Sequence, residues 1–220
     1  AVGDERVGAD GGRDRGERRF APFFWTQFLG AANDNVFKNA LVIFVAFQAA
    51  GMTSMDPNTL VNLAGAVFIA PFMLLSATGG QLADKLEKSR LIRAIKLFEI
   101  AIMAVGLAGF WMRDLATLFV ALALMGVHST LFGPVKYAIL PQHLKAAELI
   151  GGNALVEAGT FVAILIGTLA GGLLAGAGVD PVWVAGAGFV VAALGWLARR
   201  GIPAAPAPAP QLGGSPNPLT

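Results

Sequence analysis

The chain has no cysteine, one tyrosine and two histidines, and only 14% of its 220 residues are charged. Without cysteine there can be no disulfide staple and no thiolate metal site. The two histidines, His128 and His143, stand apart, neither has an acidic residue four positions on, and no second histidine lies near His128. That argues against a metal centre and against a membrane acyltransferase, so no catalytic residue, metal or cofactor is expected. No glycine-rich loop ends in Lys-Ser or Lys-Thr, which excludes a nucleotide-driven pump of the P-loop type. A net charge of +2 is too small to point to nucleic acid. Soluble domains average about 25% charged residues, so this chain lacks the groups needed to cover a surface facing water.

Apolar residues take their place: 55% of the chain is hydrophobic and the mean hydropathy is +0.65. Apolar runs fall at 20–50, 58–82, 91–112, 115–139, 150–178 and 181–200, each rich in Gly and Ala. A membrane-crossing helix needs about 20 such residues, and only helices satisfy an open backbone inside lipid. The expected fold is therefore an all-α membrane protein with six transmembrane helices. Basic residues precede the first run, as in a signal peptide. The run from Phe20 to Ala50 is too long for a signal sequence and carries Asp34 and Lys38, so a retained span is expected. Three parts follow: a polar tail over 1–19, a bundle over 20–200 and a disordered Pro/Ala-rich tail or linker over 201–220.

Lys and Arg set the orientation of short loops. Arg6, Arg13, Arg15, Arg18 and Arg19 precede the first span. Lys85, Lys88, Arg90 and Arg93 lie between the second and third, Lys145 between the fourth and fifth, and Arg199 and Arg200 after the sixth. The opposite loops hold Arg113 alone. Both termini are expected in the cytoplasm.

Ionisable groups inside a span cost roughly 2.5–3.5 kcal/mol each near its centre, so each is a candidate for function. Asp34 and Lys38 are one turn apart on one face, with Asn33 and Asn35 beside the acid. They form either a self-neutralising ion pair or the polar lining of a cavity. Lys96 and Glu99 are expected near the end of the third span, where Lys96 can snorkel, and His128 reads as a cross-helix hydrogen-bonding group. Lys136 follows Pro134, and Asn153 and Glu157 share a face of the fifth span at a depth similar to Lys136. Lys136 and Glu157 can therefore pair across helices. The candidate cavity residues are Asp34, Asn35, Lys38, Lys136, Asn153 and Glu157. Gly159, Ala163, Gly167, Gly171 and Ala175 recur every four residues, a spacing that lets two helix backbones approach closely.

The segment GGQLADKLEKSR at 79–90 resembles the signature that major facilitator carriers place between their second and third spans. The resemblance implies that Gly80, Asp84 and Arg90 form a conformational latch, with glycine permitting close helix approach. It also implies that six spans make one half of a twelve-span fold. QFLGAANDNVFKNAL, GPVKYAIL and NALVEAGTFVAILIGTLAGGLLAG look like the lysophospholipid transporter branch, over most of residues 20–178. Members of that branch also occur fused to acyltransferase and acyl-carrier-protein synthetase domains.

The resemblance implies several things about function. The carrier would move lysophospholipid, chiefly lysophosphatidylethanolamine, across the bacterial inner membrane by alternating access. Asp34, Lys136 and Glu157 would be its charged cavity positions. Its partners would be the lipid bilayer, the substrate and either a missing C-terminal six-helix half or a second copy. The rival expectations are a general drug or metabolite carrier of the same superfamily and a membrane anchor for a fused acyltransferase. Buried charges argue against an anchor, which does not need them.

Overall fold

A computed structural model describes residues 5–49 and 52–211, with side chains from Arg19 onward. Seven α-helices account for most of it: α1 Glu5–Phe47, α2 Pro57–Lys85, α3 Lys88–Met112, α4 Leu115–Ala138, the short α5 Leu140–His143, α6 Leu149–Gly176 and α7 Pro181–Ala198. The six long helices coincide with the six apolar runs. The breakers read from sequence act as caps. Asp56 accepts from the Thr59 amide, Asp114 from the Thr117 amide at 2.9 Å and hydroxyl at 2.5 Å, and Asp180 from the Val182 amide at 2.9 Å. Each satisfies an orphan N–H of a first turn. Pro57 and Pro181 occupy first-turn positions, where no donor is missed.

Among the described residues four helical segments are long and apolar enough to cross a membrane: Pro57–Lys85, Leu115–His143, Ala146–Gly176 and Pro181–Gly201. That measure finds four of the six expected spans. The two others, α1 and α3, carry ionisable residues within their apolar runs, Asp34 and Lys38 in α1 and Lys96 and Glu99 in α3. Both nevertheless run inside the bundle. α1 packs along α6 and α7, α2 along α4, and α3 between α4 and α7. The short turns at 86–87 and 113–114 make successive helices antiparallel. One end of the bundle gathers Lys85, Lys88, Arg90, Lys145, Arg199 and Arg200, and is called the basic end below. The other end has only Arg113 among Lys and Arg of the described loops. Ile69, Met73 and Leu74 of α2 and Phe161 and Leu173 of α6 are exposed. Apolar patches of that size face lipid or a partner rather than water. The chain is a multi-pass membrane protein.

Small residues set the closest approaches. Gly159, Ala163, Gly167 and Gly171 of α6 are buried, and a Cβ on Gly171 would sit 2.9 Å from Asn39 Cβ of α1. The fifth member of the series, Ala175, is only half-buried. Gly126 of α4 does the same for α2, lying against the Phe68 carbonyl.

Two apolar layers fill the bundle. Phe37, Leu41 and Phe44 of α1 meet Ile102, Met103 and Phe110 of α3 and Leu118, Leu122 and Met125 of α4. The Phe110 ring stands edge-on to Phe37 and Phe44 at 5.7 and 5.4 Å, a favoured aromatic geometry. Toward the basic end Phe23, Ile92, Ile95, Val135, Ile139 and Val156 form the second layer. Along α1, α3 and α4 alike, the residues between these layers are polar: Asn33, Lys96 with Glu99, and His128 with Thr130. A polar stratum therefore crosses the middle of the bundle.

Residues 202–211 leave α7 in extended form and lie on the basic end. The Ala205 amide donates to Glu87 Oε1 at 2.7 Å, and the Lys88 amide donates to the Ala205 carbonyl at 2.9 Å. Gln142 Nε2 donates to the Pro206 carbonyl at 3.0 Å, and Ile202 and Ala205 are buried. This stretch, part of the 201–220 segment read as a tail or linker, contacts the basic end through these bonds. The rest of that tail, 212–220, lies outside the described residues, as do residues 1–4. From Glu5 onward the expected polar tail continues α1 as helix.

Candidate functional site

The polar stratum opens into a cavity of about 390 Å3 between α1, α2, α4 and α6, with Lys96 of α3 at one wall. A pitch of 3.6 residues puts Gln27, Ala31, Asp34 and Lys38 of α1 along one stripe, and all four line the cavity. From α4 come His128, Ser129, Phe132 and Lys136, and from α6 Thr160 and Ile164. Phe68 and Phe72 of α2 supply an aromatic wall.

Within it the charges are separated rather than paired off. The Ser129 hydroxyl donates to Asp34 Oδ2 at 3.0 Å, and Asp34 Oδ1 is buried without a protein partner. Lys38 lies over the Phe68 ring, 4.4 Å from its centroid, a cation–π contact. Among the described residues no ion pair joins Asp34 to Lys38, so the self-neutralising pair is not what forms. Lys136 Nζ donates to the Thr160 hydroxyl at 3.0 Å and lies 3.8 Å from Glu157 Oε1. Thr160 in turn donates to the Val156 carbonyl at 2.7 Å. Glu157 also accepts from the Tyr137 hydroxyl and is 43% exposed, which puts the Lys136–Glu157 pair at the cavity's rim. Asn35 lines the cavity, but its amide nitrogen is spent on the Ala31 carbonyl at 2.7 Å. Asn153 is exposed, bonds the Leu149 carbonyl and does not line the cavity.

Behind the cavity wall that Lys96 and His128 form lies a buried group that sequence reading placed elsewhere. Lys96 is 1% exposed and does not snorkel: its Nζ donates to Glu99 Oε2 at 2.5 Å. Asn33 Nδ2 donates to Glu99 Oε1 at 3.1 Å, and His128 Nε2 stands 3.5 Å from Glu99 Oε2. One carboxylate thus faces a lysine, an amide and an imidazole. Gly30 leaves room for the Lys96 ammonium, which a Cβ there would strike.

Gly80 has nothing within 4 Å of a Cβ position, whereas a Cβ on Gly79 would lie 2.9 Å from the Thr130 carbonyl. Close approach within this chain falls on Gly79. Among the described residues Asp84 and Arg90 make no ion pair. Arg90 turns instead to Glu87, its Nε 3.7 Å from Oε2 and its amide donating to the same oxygen at 2.8 Å. Glu87 also accepts from the Ser89 hydroxyl at 2.6 Å. Glu87, Ser129 and Thr160 were missed from sequence. For Glu87 a signal existed, since an acidic residue before Lys-Ser-Arg at a helix start reads as an N-cap.

No family model matches the chain, and no solved structure matches it. Relatives of known function do. Over 194 residues it is 30% identical to the lysophospholipid transporter LplT of Serratia proteamaculans (strain 568), covering 88% of this chain and 45% of the relative. It is 30% identical to that of Cronobacter sakazakii over 178 residues, 80% of this chain and 40% of the relative. It is 32% identical to that of Salmonella heidelberg over 149 residues, 68% of this chain and 34% of the relative. The chain spans less than half the length of these relatives.

Proposed function

From the premise that the chain is a distant homologue of bacterial lysophospholipid transporters of the major facilitator superfamily, we propose that it forms the N-terminal six-helix half of a carrier that moves lysophospholipid across the bacterial inner membrane. The second half would be a further bundle of the same kind or a second copy, set against the exposed faces of α2 and α6. α1 and α3 would complete the six spans, their charges tolerated because they face the interior rather than lipid. Both termini would be cytoplasmic, on the side of the basic end, as the loop charges require.

The observation that carries this reading is the cavity's separation of charge. A lysophosphatidylethanolamine head group bears a phosphate and an ammonium. Lys136 and Lys38 would take the phosphate, and Asp34, with one oxygen free of protein partners, would take the ammonium. Phe68 and Phe72 leave an apolar side along which the acyl chain would pass. Transport then follows from rocking one bundle against the other about a fixed midplane site. The smooth Gly/Ala seam between α1 and α6 suits small rotations, and the α2–α3 turn would act as the latch. In that reading Gly80, open on this side, would be where the missing half approaches, and Asp84 and Arg90 would engage that half rather than each other.

The test is lysophosphatidylethanolamine uptake by cells lacking their own carrier. The full-length gene product is compared with its Asp34→Asn form at matched membrane abundance. Uptake that falls at least tenfold in Asp34→Asn supports the reading. Absence of uptake by the well-expressed unaltered protein refutes it, and a general metabolite carrier becomes the account to pursue.

A further inference from the structure

A second concave site lies away from the central cavity and shares no lining residue with it: a groove of about 920 Å3 between α3 and α7, at the end opposite the basic end. Its walls are apolar, including Leu107, Trp111, Trp183 and Phe189. At its mouth are two charges of opposite sign, Arg113 after the last turn of α3 and Asp180 before the first turn of α7.

Three features describe this mouth. First, Arg113 Nη2 and Asp180 Oδ2 are 4.0 Å apart and both residues are about half exposed, a contact that stabilises little and leaves most of the guanidinium donors open. Second, Arg113 is the only non-glycine residue with positive φ among the described residues, at 52°. This is the left-handed cap that commonly ends a helix, and it places Arg113 at the mouth of the groove. Here it is held by the Arg113 and Asp114 amides, which bond carbonyls of the last turn of α3. Third, Trp111 and Trp183 are each 75% exposed and stand at one level of the bundle, in the last turn of α3 and the first turn of α7. Tryptophan collects where the hydrocarbon of a membrane meets its head groups, which sets Arg113 and Asp180 at head-group depth and the groove below them among acyl chains.

We propose that this groove holds a zwitterionic phospholipid from the adjacent leaflet, with its phosphate on Arg113, its ammonium on Asp180 and its acyl chains along Leu107, Trp183 and Phe189. Opposite charges side by side over an apolar trough match such a head group. They do not match an anionic lipid, whose phosphate would meet Arg113 and leave Asp180 facing a second negative or neutral group. The inference rests on the membrane setting of the bundle and is independent of what the central cavity carries.

The experiment places the full-length gene product in nanodiscs doped with brominated phosphatidylethanolamine or, separately, brominated phosphatidylglycerol, and records tryptophan quenching. The groove's share of the signal is the part lost in the Trp111→Phe, Trp183→Phe protein. The expected result is that phosphatidylethanolamine saturates that share at a mole fraction where phosphatidylglycerol does not. The preference should disappear when Arg113→Gln and Asp180→Asn are combined. Equal quenching by the two lipids in the unaltered protein overturns the proposal, and so does a preference that survives the combined substitution.

Discussion

Breaking the buried ion pair behind the cavity wall should destabilise the bundle asymmetrically. Lys96 and Glu99 are both 1% exposed and 2.5 Å apart. Removing one partner of such a pair typically costs about 3–5 kcal/mol, because the survivor is left charged in a low dielectric, whereas replacing both with apolar groups is often neutral. The two survivors are not equivalent here. After Lys96→Met, Glu99 keeps the Asn33 amide at 3.1 Å and the His128 imidazole at 3.5 Å. After Glu99→Leu, Lys96 keeps only the Phe132 ring, 5.3 Å from its Nζ, among the contacts described for it. Lys96→Met should therefore cost about 3 kcal/mol and Glu99→Leu about 5 kcal/mol, the two ends of that range. The double variant should recover most of the loss. Reversible unfolding in mixed micelles with increasing sodium dodecyl sulfate gives the three free energies. A double variant as unstable as the sum of the singles, or Lys96→Met costing more than Glu99→Leu, would refute the reasoning.

Other outcomes follow from single contacts. Gly79→Ala should lower stability by about 1–3 kcal/mol, an overpacking cost, because its Cβ would press on the Thr130 carbonyl at 2.9 Å. Gly80→Ala should cost less than Gly79→Ala, since nothing of this chain lies within 4 Å of it, and equal shifts at the two positions would contradict this. Gly126→Ala should also lower the midpoint, by pushing α2 off α4 at the Phe68 carbonyl. Burial pushes the Glu87 carboxyl up, but hydrogen bonds from the Ser89 hydroxyl and from the Ala205, Arg90 and Ser89 amides outweigh it and hold its pKa below the usual carboxylate value. A depressed folded-state pKa means stabilisation that is full above the unfolded value of about 4.3 and lost as pH falls through the lower folded one. Amide exchange at Ala205 should therefore become freer only at acid pH. At neutral pH Glu87→Gln should loosen it by roughly tenfold, for a charge-assisted bond of about 1.5 kcal/mol. Unchanged exchange in that variant would break the link.

The sequence revealed the helices because each apolar run is bounded by residues that cap. Asp56, Asp114 and Asp180 stop one helix and start the next for a local reason. It revealed Asp34, Lys38 and Lys136 as interior charges because charge in an apolar run must be compensated. What it hid was tertiary. The depth of Lys96 depends on how far α3 sits from lipid, and a lysine near a helix end looks the same whether it snorkels or bonds Glu99. Ser129 and Thr160 are ordinary residues in a span until a neighbouring helix brings Asp34 and Lys136 to them. The phase of neighbouring glycines is equally silent: Gly79 and Gly80 differ by one residue, or about 100° of helix rotation, and only packing shows which one α4 touches. In 202–211 the Pro-Ala composition describes the chain's stiffness but not its attachment, which depends on Glu87 and Gln142 elsewhere in the sequence.

The measurement closest to the central claim exploits the absence of cysteine from these 220 residues. Gly133 lines the central cavity and has no atom within 4 Å of a Cβ, so Gly133→Cys in a cysteine-free full-length protein adds a thiol there without crowding it. Its maleimide labelling rate is followed while lysophosphatidylethanolamine is titrated in. Saturable slowing that Asp34→Asn abolishes is the predicted result. A labelling rate indifferent to the lipid, in a Gly133→Cys protein whose introduced thiol is otherwise reactive, would contradict the assignment of this cavity to lysophospholipid.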